Sequence, residues 1–394
     1  QNAVKCKYKS LLWYGIMVSM NDKQIPEKLL SGYIPTETEA RIYETWESSG
    51  YFNPDNLPGE RTESFSMVVP PPNVTGTLHT GHAIMLALQD TLTRFHRMNG
   101  KRALWLPGTD HAAIATQSVV EKEIQKKEKK SRHDLGREEL LRRVDEFARN
   151  SQDTILSQFR SMGASLDWSR LSFTLDEDKN VAVNTMFKKM YEDGLIYKGD
   201  RIVNWDPKGQ TTISDDEVVK IDRKSILYTF KYGPDFPIAI STTRPETKVG
   251  DTAVAVHPDD ERYIDYVGKE YSLVFAGCPI TIKIVADTAV EKDFGTGALG
   301  VTPAHSQIDW EIADRHDLPR RQVINEYAKM CNVPNEELLG LKIADARDYI
   351  VDWLRKENLI EAEEEVAQAV PTAERTGGII EPLPKKQWFV AVNK

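Results

Sequence analysis

An apolar segment that ends in three consecutive prolines most strongly limits the folds open to this chain. Residues 64–72 are SFSMVVPPP, and proline interrupts the backbone hydrogen bonding of a strand or helix. A turn at residues 73–76 follows, then a helical pattern from about Leu78 to Arg97 and a second apolar run at residues 103–107. Strand, turn, helix and strand form a βαβ unit, so the sequence predicts a parallel sheet with ligands at the carboxyl ends of its strands.

The length and the later patterns indicate more than one domain. A chain of 394 residues rarely forms one continuous hydrophobic core. Helices are predicted at about residues 134–162, 176–194 and 344–358 from their amphipathic spacing. Between about residues 202 and 301, short β-type runs alternate with turn residues, which indicates a mainly β region. A proline-rich tail is predicted to lead out of it, with Pro371, Pro382 and Pro384.

The composition excludes several classes of protein. Hydrophobic residues make up 40% and charged residues 28%, which indicates a globular chain rather than a disordered or collagenous one. No apolar run approaches the roughly 18 residues of a membrane span. The three cysteines contain no CxxC pair, which argues against disulfides and structural zinc and favours the reducing cytoplasm. The net charge of -9 means that a nucleic-acid partner would need a local basic patch.

Residues 1–24 are predicted to be a leader that is extraneous to the fold or disordered. The chain begins with Gln1 rather than methionine, and a few lysines precede a short apolar run. No small-residue cleavage site follows, which argues against a signal peptide. We expect the fold itself to begin after Met20.

Two histidines stand at the predicted start of the first helix. His79 and His82 are three residues apart and so share one helix face, where backbone N–H groups and the helix dipole favour an anion such as phosphate. Gly76 and Gly81 would let a base or ribose approach the backbone. From these residues alone, a histidine pair without function and an HxxH metal pair stay open, although no third ligand with metal-like spacing is close by.

The surrounding segment carries a family resemblance. PPPNVTGTLHTGHA, residues 70–83, resembles the HIGH signature of class I aminoacyl-tRNA synthetases, and PPPNVTG is similar to the valyl-tRNA synthetases. Further matches occur in family order, and the resemblance covers about residues 30–394. They are PGTDHAAIATQ (107–117), GASLDWSR (163–170), VNWDP (203–207), STTRPET (241–247) and GTGALGVTPAH (295–305).

The resemblance implies an α/β fold, the first half of a Rossmann-type (HUP-like) parallel sheet interrupted by a β-rich editing (CP1) insertion. It implies a first part of the catalytic domain with helical segments at residues 25–205, an editing domain at 206–370 and a return connection at 371–394. That connection would lead towards a carboxy-terminal half of the catalytic domain, with the KMSKS loop that this chain lacks. We therefore predict that this chain alone cannot aminoacylate.

The implied activity is ATP-dependent activation of valine and its attachment to tRNA(Val), with ATP and Mg²⁺ as the substrate complex and no structural zinc. The partners would be tRNA(Val), valine, ATP and the missing half, without a membrane. His79 and His82 would contact the ATP phosphates, and Asp110 would bind the α-ammonium group of valine. Further ATP contacts would come from Gly76 and Gly81, and the valine pocket from Pro70, Pro71 and Asn73.

The resemblance also implies hydrolytic editing of mischarged Thr-tRNA(Val). A hydrophobic pocket cannot strongly reject a substrate that differs from the correct one only by an added hydroxyl group. A pocket for valine therefore also admits threonine. Asp309 would anchor the ammonium group of the threonyl ester. The other editing residues would be Thr242, Thr243, Arg244, Glu246, Thr247 and His305. A threonine-rich strand end is also explained by β-propensity alone.

Two departures and three alternatives accompany this interpretation. Gly300 and Ser306 stand where many valyl synthetases have lysine and aspartate, which predicts weaker positioning of the threonyl hydroxyl or the tRNA end. One alternative is a stand-alone aminoacyl-tRNA editing hydrolase with a vestigial HIGH half. The others are a non-catalytic tRNA-binding paralogue and the sibling isoleucine-tRNA ligase, against which PPPN before VTG argues.

Overall fold

A computed structural model describes residues 32–393 of the chain. The predicted leader at residues 1–24 lies outside the described residues. The chain divides into two compact units, Gln1–Ala182 and Val183–Lys394, each considered separately below. The expected boundaries between a catalytic and an editing domain remain predictions.

The first unit combines short parallel strands with long helices. Its helices are α1 (Pro35–Ser48), α2 (Thr80–Met98), α3 (Ala113–Glu128), α4 (Arg132–Leu135), α5 (Arg137–Ser161) and α6 (Glu177–Glu192), which continues past Ala182. Its strands are β1 (Ser64–Val68), β2 (Arg102–Leu106), β3 (Gly108–Thr109) and β4 (Ser172–Phe173). The helix predicted at residues 134–162 is divided because Gly136 has a positive φ of 77° between α4 and α5.

The predicted βαβ unit is confirmed. Strand β1 pairs in parallel with β2, from Ser64 opposite Arg102 to Val68 opposite Leu106, and α2 connects them. Trp105 on β2 is fully buried and its indole N–H donates to Gln89 on α2 at 3.0 Å. This anchor fixes the helix over the strands, so that the start of α2 lies at their carboxyl ends.

The second unit is mainly β, as predicted. Its strands are β5 (Ile196–Asp206), β6 (Thr211–Ile213), β7 (Val218–Phe230), β8 (Ile240–Thr242), β9 (Ala253–Val256), β10 (Glu270–Phe275), β11 (Cys278–Ala286), β12 (Ala298–Val301), β13 (Ile360–Ala373) and β14 (Glu381–Val390). They form three sheets, in the orders β10-β11-β9-β12, β13-β7-β8 and β14-β5-β6. Two helices accompany them, α7 (Gln307–His316) and α8 (Ile343–Lys356).

The largest apolar cluster of the second unit lies between α8 and the sheets that contain β7 and β9, and a smaller one packs α7 against β9 and β12. Strand β9 is buried along its whole length, which explains its uninterrupted apolar sequence AVAV. Ile350 and Leu354 of α8 are fully buried in the same apolar cluster as Phe275. In the described part of the chain, every helix is too short or too polar to cross a membrane.

The prediction of a proline-rich tail is wrong. Pro371 lies in β13 opposite Lys220, and Pro382 and Pro384 lie in β14 opposite Asn204 and Ile202. Both strands are terminal in the order of their sheets. A terminal strand has one side that pairs with no further strand of its sheet, where the missing N–H of a proline breaks no strand pairing, and this is why prolines are tolerated there.

Candidate functional site

The connections that follow β1 and β2 run side by side at the carboxyl ends of the strands. Asn73 and Asp110 form a parallel bridge, and the backbone N–H of Val74 donates to the Asp110 carbonyl at 2.8 Å. Two predicted valine-binding residues are therefore neighbours. The other two, Pro70 and Pro71, lie exposed in the same connection.

The carboxylate of Asp110 is held by one of its two oxygens. Its Oδ1 accepts hydrogen bonds from the backbone N–H of Ala112 and from the Thr174 hydroxyl, both at 3.0 Å, and lies 3.4 Å from Nδ1 of His111. Ala112 and Ala113 have φ of 50° and 32°, a strained conformation for residues with a Cβ. Among the described residues no hydrogen bond reaches Oδ2, and the side chain is 36% exposed. That oxygen is available to a cation.

The side chains of His79 and His82 cap the N-terminus of α2 by accepting hydrogen bonds from backbone N–H groups of its first turn. Nδ1 of His79 accepts from the N–H of Gly81 at 3.0 Å, and Nδ1 of His82 accepts from the N–H of His79 at 3.2 Å. The ring centroids are 3.8 Å apart. Because an accepting Nδ1 carries no proton, these bonds assign the proton of each neutral ring to Nε2. A Cβ at Gly81 would lie 2.9 Å from Cε1 of His79, so this glycine makes room for the ring.

The surroundings of His82 favour its neutral form. Partial burial and the neighbouring His79 both lower the pKa of His82. The N-terminus of α2 adds unpaired backbone donors and the positive end of the helix dipole. Gly76 has a φ of +157° and nothing within 4 Å of where its Cβ would be. Within residues 32–393, no group of three or more His, Cys, Asp and Glu side chains is placed to hold a metal ion.

In the second unit, the predicted editing loop follows β8 and is held by its own threonines. The Thr242 hydroxyl accepts from the N–H of Arg244, and the Thr243 hydroxyl accepts from Gln368, both at 3.0 Å. The Thr247 hydroxyl donates to the Arg244 carbonyl at 3.0 Å. Since that bond uses its only proton, the Thr247 oxygen can serve other groups solely as an acceptor.

Thr302 connects this loop to Asp309. The N–H of Thr302 donates to Oδ2 of Asp309 at 2.7 Å, and its hydroxyl oxygen lies 3.4 Å from that of Thr247. Asp309 is buried in the first turn of α7, where its Oδ1 accepts from Ser306, the N-cap residue. The structure therefore brings the predicted residues Thr247 and Asp309 together through a third residue.

Arg244 and Glu246 belong to a buried ion cluster. Glu246 is fully buried and accepts two 2.8 Å bonds from Arg347, and Glu381 accepts a 2.5 Å bond from Arg244. Burial alone would lower the pKa of Arg244, but Glu381 and Glu246 outweigh it and raise that pKa. Burial would likewise raise the pKa of Glu381, and Arg244 and His305 lower it instead. Arg244 and Glu381 are therefore charged.

His305 is fully engaged by the protein. Its Nε2 accepts from the backbone N–H groups of Val323 and Ile324 at 2.9 and 3.2 Å. Its Nδ1 lies 3.3 Å from the Pro382 carbonyl and 3.6 Å from Glu381. The structure places His305 beside the ion cluster that contains Arg244 and Glu246, and its part in editing stays a prediction.

Several buried polar side chains in this region escaped the sequence analysis, among them Lys248, Asp251 and Tyr232. The ammonium group of Lys248 donates to the Gly300 carbonyl at 2.8 Å and to Asp251 at 3.1 Å. A Cβ at Gly300 would lie 2.5 Å from the Tyr232 hydroxyl and 2.6 Å from the Asp251 carboxylate. Position 300 has no room for a lysine here. The only sequence signal for Lys248 was its place directly after Thr247.

Comparison with known proteins agrees with this geometry. Valine--tRNA ligases of Francisella tularensis, Acinetobacter baylyi and Treponema denticola are 47%, 43% and 44% identical to the chain. These alignments cover 93–95% of this chain but 40–42% of those proteins, so the chain spans about two fifths of their length. A family model described as tRNA synthetases class I (I, L, M and V) matches residues 41–394. With its strand-end loops and histidine-capped helix inside that match, the chain belongs to the class I tRNA synthetases.

Proposed function

We propose that this chain is the amino-terminal part of a valine–tRNA ligase, a cytoplasmic enzyme that activates valine with ATP and attaches it to tRNA(Val). The observation that carries the proposal is the edge of the parallel strands, where Asp110 and the histidine-capped start of α2 both lie. The relatives named valine--tRNA ligase, 42–47% identical over more than nine tenths of this chain, support the choice of amino acid.

The histidines would act on ATP, which arrives with its Mg²⁺. Their Nε2–H groups, fixed as donors by the two capping bonds, would bind phosphate oxygens at the N-terminus of α2. As negative charge grows on the α-phosphoryl group in the transition state, preorganised donors stabilise it without forming a covalent bond to the protein.

Asp110 would hold valine by its α-ammonium group through the available Oδ2. The carboxylate of valine then attacks the α-phosphorus, the bond to the β-phosphate breaks, and pyrophosphate leaves with its electron pair. Pro70, Pro71 and Asn73 would line a rigid pocket that limits the size of the side chain. The terminal ribose hydroxyl of the tRNA subsequently attacks the carbonyl carbon and releases AMP.

Amino-acid-dependent ATP–pyrophosphate exchange by the intact protein tests this function. We expect valine to support exchange more efficiently than isoleucine, and Asp110→Asn to raise the KM for valine while the KM for ATP stays the same. Asp145→Asn, which changes an exposed aspartate paired with Arg149, is the matched control and should change neither constant. A preference for isoleucine would refute the valine assignment.

Activation would need more of the protein than this chain. The relatives are more than twice as long as the aligned region, and α2 exposes a stripe of large apolar side chains, Ile84, Leu88, Leu92 and Phe95. We propose that a further part of the catalytic domain covers this stripe. Residues 1–394 alone should then give no valine-dependent exchange, and measurable exchange would contradict this expectation.

The second unit would hydrolyse Thr-tRNA(Val). The Thr247 oxygen, which can only accept, would accept a hydrogen bond from the side-chain hydroxyl of the threonyl group. Asp309 would bind the ammonium group while water attacks the ester carbonyl. The ribose oxygen of the tRNA then leaves and takes up a proton. We expect the intact protein to release threonine from Thr-tRNA(Val), with a large loss in Asp309→Asn. Hydrolysis no faster than in buffer would exclude editing.

A further inference from the structure

The buried ammonium group of Lys248 has no part in the function proposed so far. The residue is 4% exposed and lies one position after Thr247. Its three protons meet three acceptors: the Gly300 carbonyl at 2.8 Å, Thr302 Oγ1 at 2.9 Å and Asp251 Oδ1 at 3.1 Å. A saturated ammonium group has no proton left for a substrate. Any effect of Lys248 on a ligand must therefore pass through these neighbours.

The stability of the fold does not by itself account for this lysine. Asp251 is fully buried, and removing two charges from water costs several kcal/mol per ion, about as much as their attraction returns. Buried ion pairs can often be replaced by apolar side chains without loss of stability. Gly300 also offers Lys248 a backbone carbonyl that approaches because position 300 carries no side chain.

What the lysine does fix is the direction of one hydroxyl group. Thr302 Oγ1 accepts from Lys248, and its single proton has two acceptors within reach, the Asp251 carboxylate and the Thr247 oxygen 3.4 Å away. The bond to Asp251 is the shorter and is charge-assisted, so the proton lies there and points away from Thr247. The Thr247 proton is already given to the Arg244 carbonyl. Both hydroxyl groups thus present lone pairs to each other, and the Thr247 oxygen is left in need of a donor.

We propose that Lys248 is a positioning residue of the editing site, which keeps the Thr302 proton on Asp251 and so reserves the Thr247 oxygen for the hydroxyl group of a threonyl ester. This inference rests on the proposed editing function. Burial raises the pKa of Asp251 and Lys248 opposes that effect. Without the ammonium group Asp251 therefore takes up a proton and no longer holds the Thr302 hydroxyl, which can rotate and donate to Thr247. The Thr247 oxygen then already has a donor within the protein, so the threonyl hydroxyl adds no hydrogen bond that valine lacks, and the preference for threonine over valine is lost.

The test is the ratio of the hydrolysis rates of Thr-tRNA(Val) and Val-tRNA(Val), measured with the intact protein and with Lys248→Met. We expect the ratio to fall about tenfold, since one net hydrogen bond is worth about 1 kcal/mol or somewhat more. This ratio does not depend on the fraction of folded protein, so a merely structural effect leaves it unchanged. Lys224→Met, which alters a lysine in an exposed ion pair of the same unit, is the matched control.

A second variant covers the case in which Lys248→Met does not fold. Lys248→Met combined with Asp251→Asn removes both buried charges, and the ratio should fall to a similar extent. An unchanged ratio in a folded variant, with wild-type hydrolysis intact, would overturn the role of Lys248 alone. A wild-type protein that does not hydrolyse Thr-tRNA(Val) would overturn the editing function, and this inference with it.

Discussion

Glu246 and Arg347 form a two-bond ion pair between residues 101 positions apart in the chain, with both N–O distances at 2.8 Å. The pair ties α8 to the loop that follows β8. Because Glu246 is fully buried and also accepts from Arg244, its carboxylate holds two guanidinium groups in fixed places. The shape of the loop that carries Thr247 therefore depends on a helix about 100 positions later in the chain.

Glu246→Ala should destabilise the second unit markedly. It leaves Arg244 and Arg347 without their shared partner, and breaking a buried pair in this way costs about 3–5 kcal/mol. We expect the lower part of that range because the Arg347 side chain is 36% exposed. Urea unfolding measures the change in the free energy of unfolding. Glu361→Ala, which breaks a solvent-exposed pair with Lys231, is the control and should cost less than about 1 kcal/mol. Equal losses would show that the cluster does not hold the loop.

Gly300→Ala should also be destabilising, for a steric reason. The added methyl group would lie 2.5 Å from the Tyr232 hydroxyl and 2.6 Å from Asp251, so buried groups would have to move. Overpacking of this kind costs about 1–3 kcal/mol. Gly233→Ala is the matched control, since nothing lies within 4 Å of its Cβ position. Thermal unfolding of the two variants decides the matter, and a wild-type midpoint for Gly300→Ala would contradict the steric argument.

His79→Asn separates the capping role of this histidine from its proposed role with ATP. Asparagine is a good N-cap residue, so the stability should change by less than about 0.5 kcal/mol. The variant lacks the Nε2–H donor, and valine-dependent exchange by the intact protein should fall by about 10²-fold, as for other preorganised donors to a transition state. His133→Asn, at an exposed position in α4, should leave exchange unchanged. Full exchange in a folded His79→Asn protein would limit this histidine to capping the helix.

The local parts of the fold could be predicted because they depend on local patterns. The prolines after residue 69, the helical spacing to Arg97 and the second apolar run were enough for the βαβ unit. The same reasoning, that proline ends a strand, gave the wrong prediction of a tail near the end of the chain. Pro371, Pro382 and Pro384 lie inside β13 and β14, which accept them because both strands are terminal in their sheets. Only the order of strands in a sheet contains that information.

The candidate sites could be predicted in part. The motif around His79 identified the residues that cap α2. It could not show that Nδ1 of His79 accepts from the N–H of Gly81, because that bond exists only once the helix has formed. The loop after β8 was identified from its threonines. The partners Arg347 and Glu381 lie about 100 or more positions away, and no spacing in the sequence connects them to Arg244. Lys248 was missed because a lysine in a sequence is expected at the surface unless its partners are known.

The stability of the second unit should fall in acid through Asp287. Its pKa is lowered from 3.8 to about 2, chiefly by the hydrogen bonds from Arg315, against the opposing effect of burial. A carboxyl group with a lower pKa in the folded state stabilises the fold above its unfolded pKa and loses that effect as the pH falls through the folded pKa. The shift corresponds to about 2 kcal/mol at pH 6 and about half of that at pH 3.

Urea unfolding at both pH values should therefore show wild type and Asp287→Asn becoming more alike in acid. Asp265→Asn, at an exposed position, should follow wild type at both. A difference between wild type and Asp287→Asn that is the same at pH 6 and pH 3 would mean that the Arg315 pair does not lower this pKa.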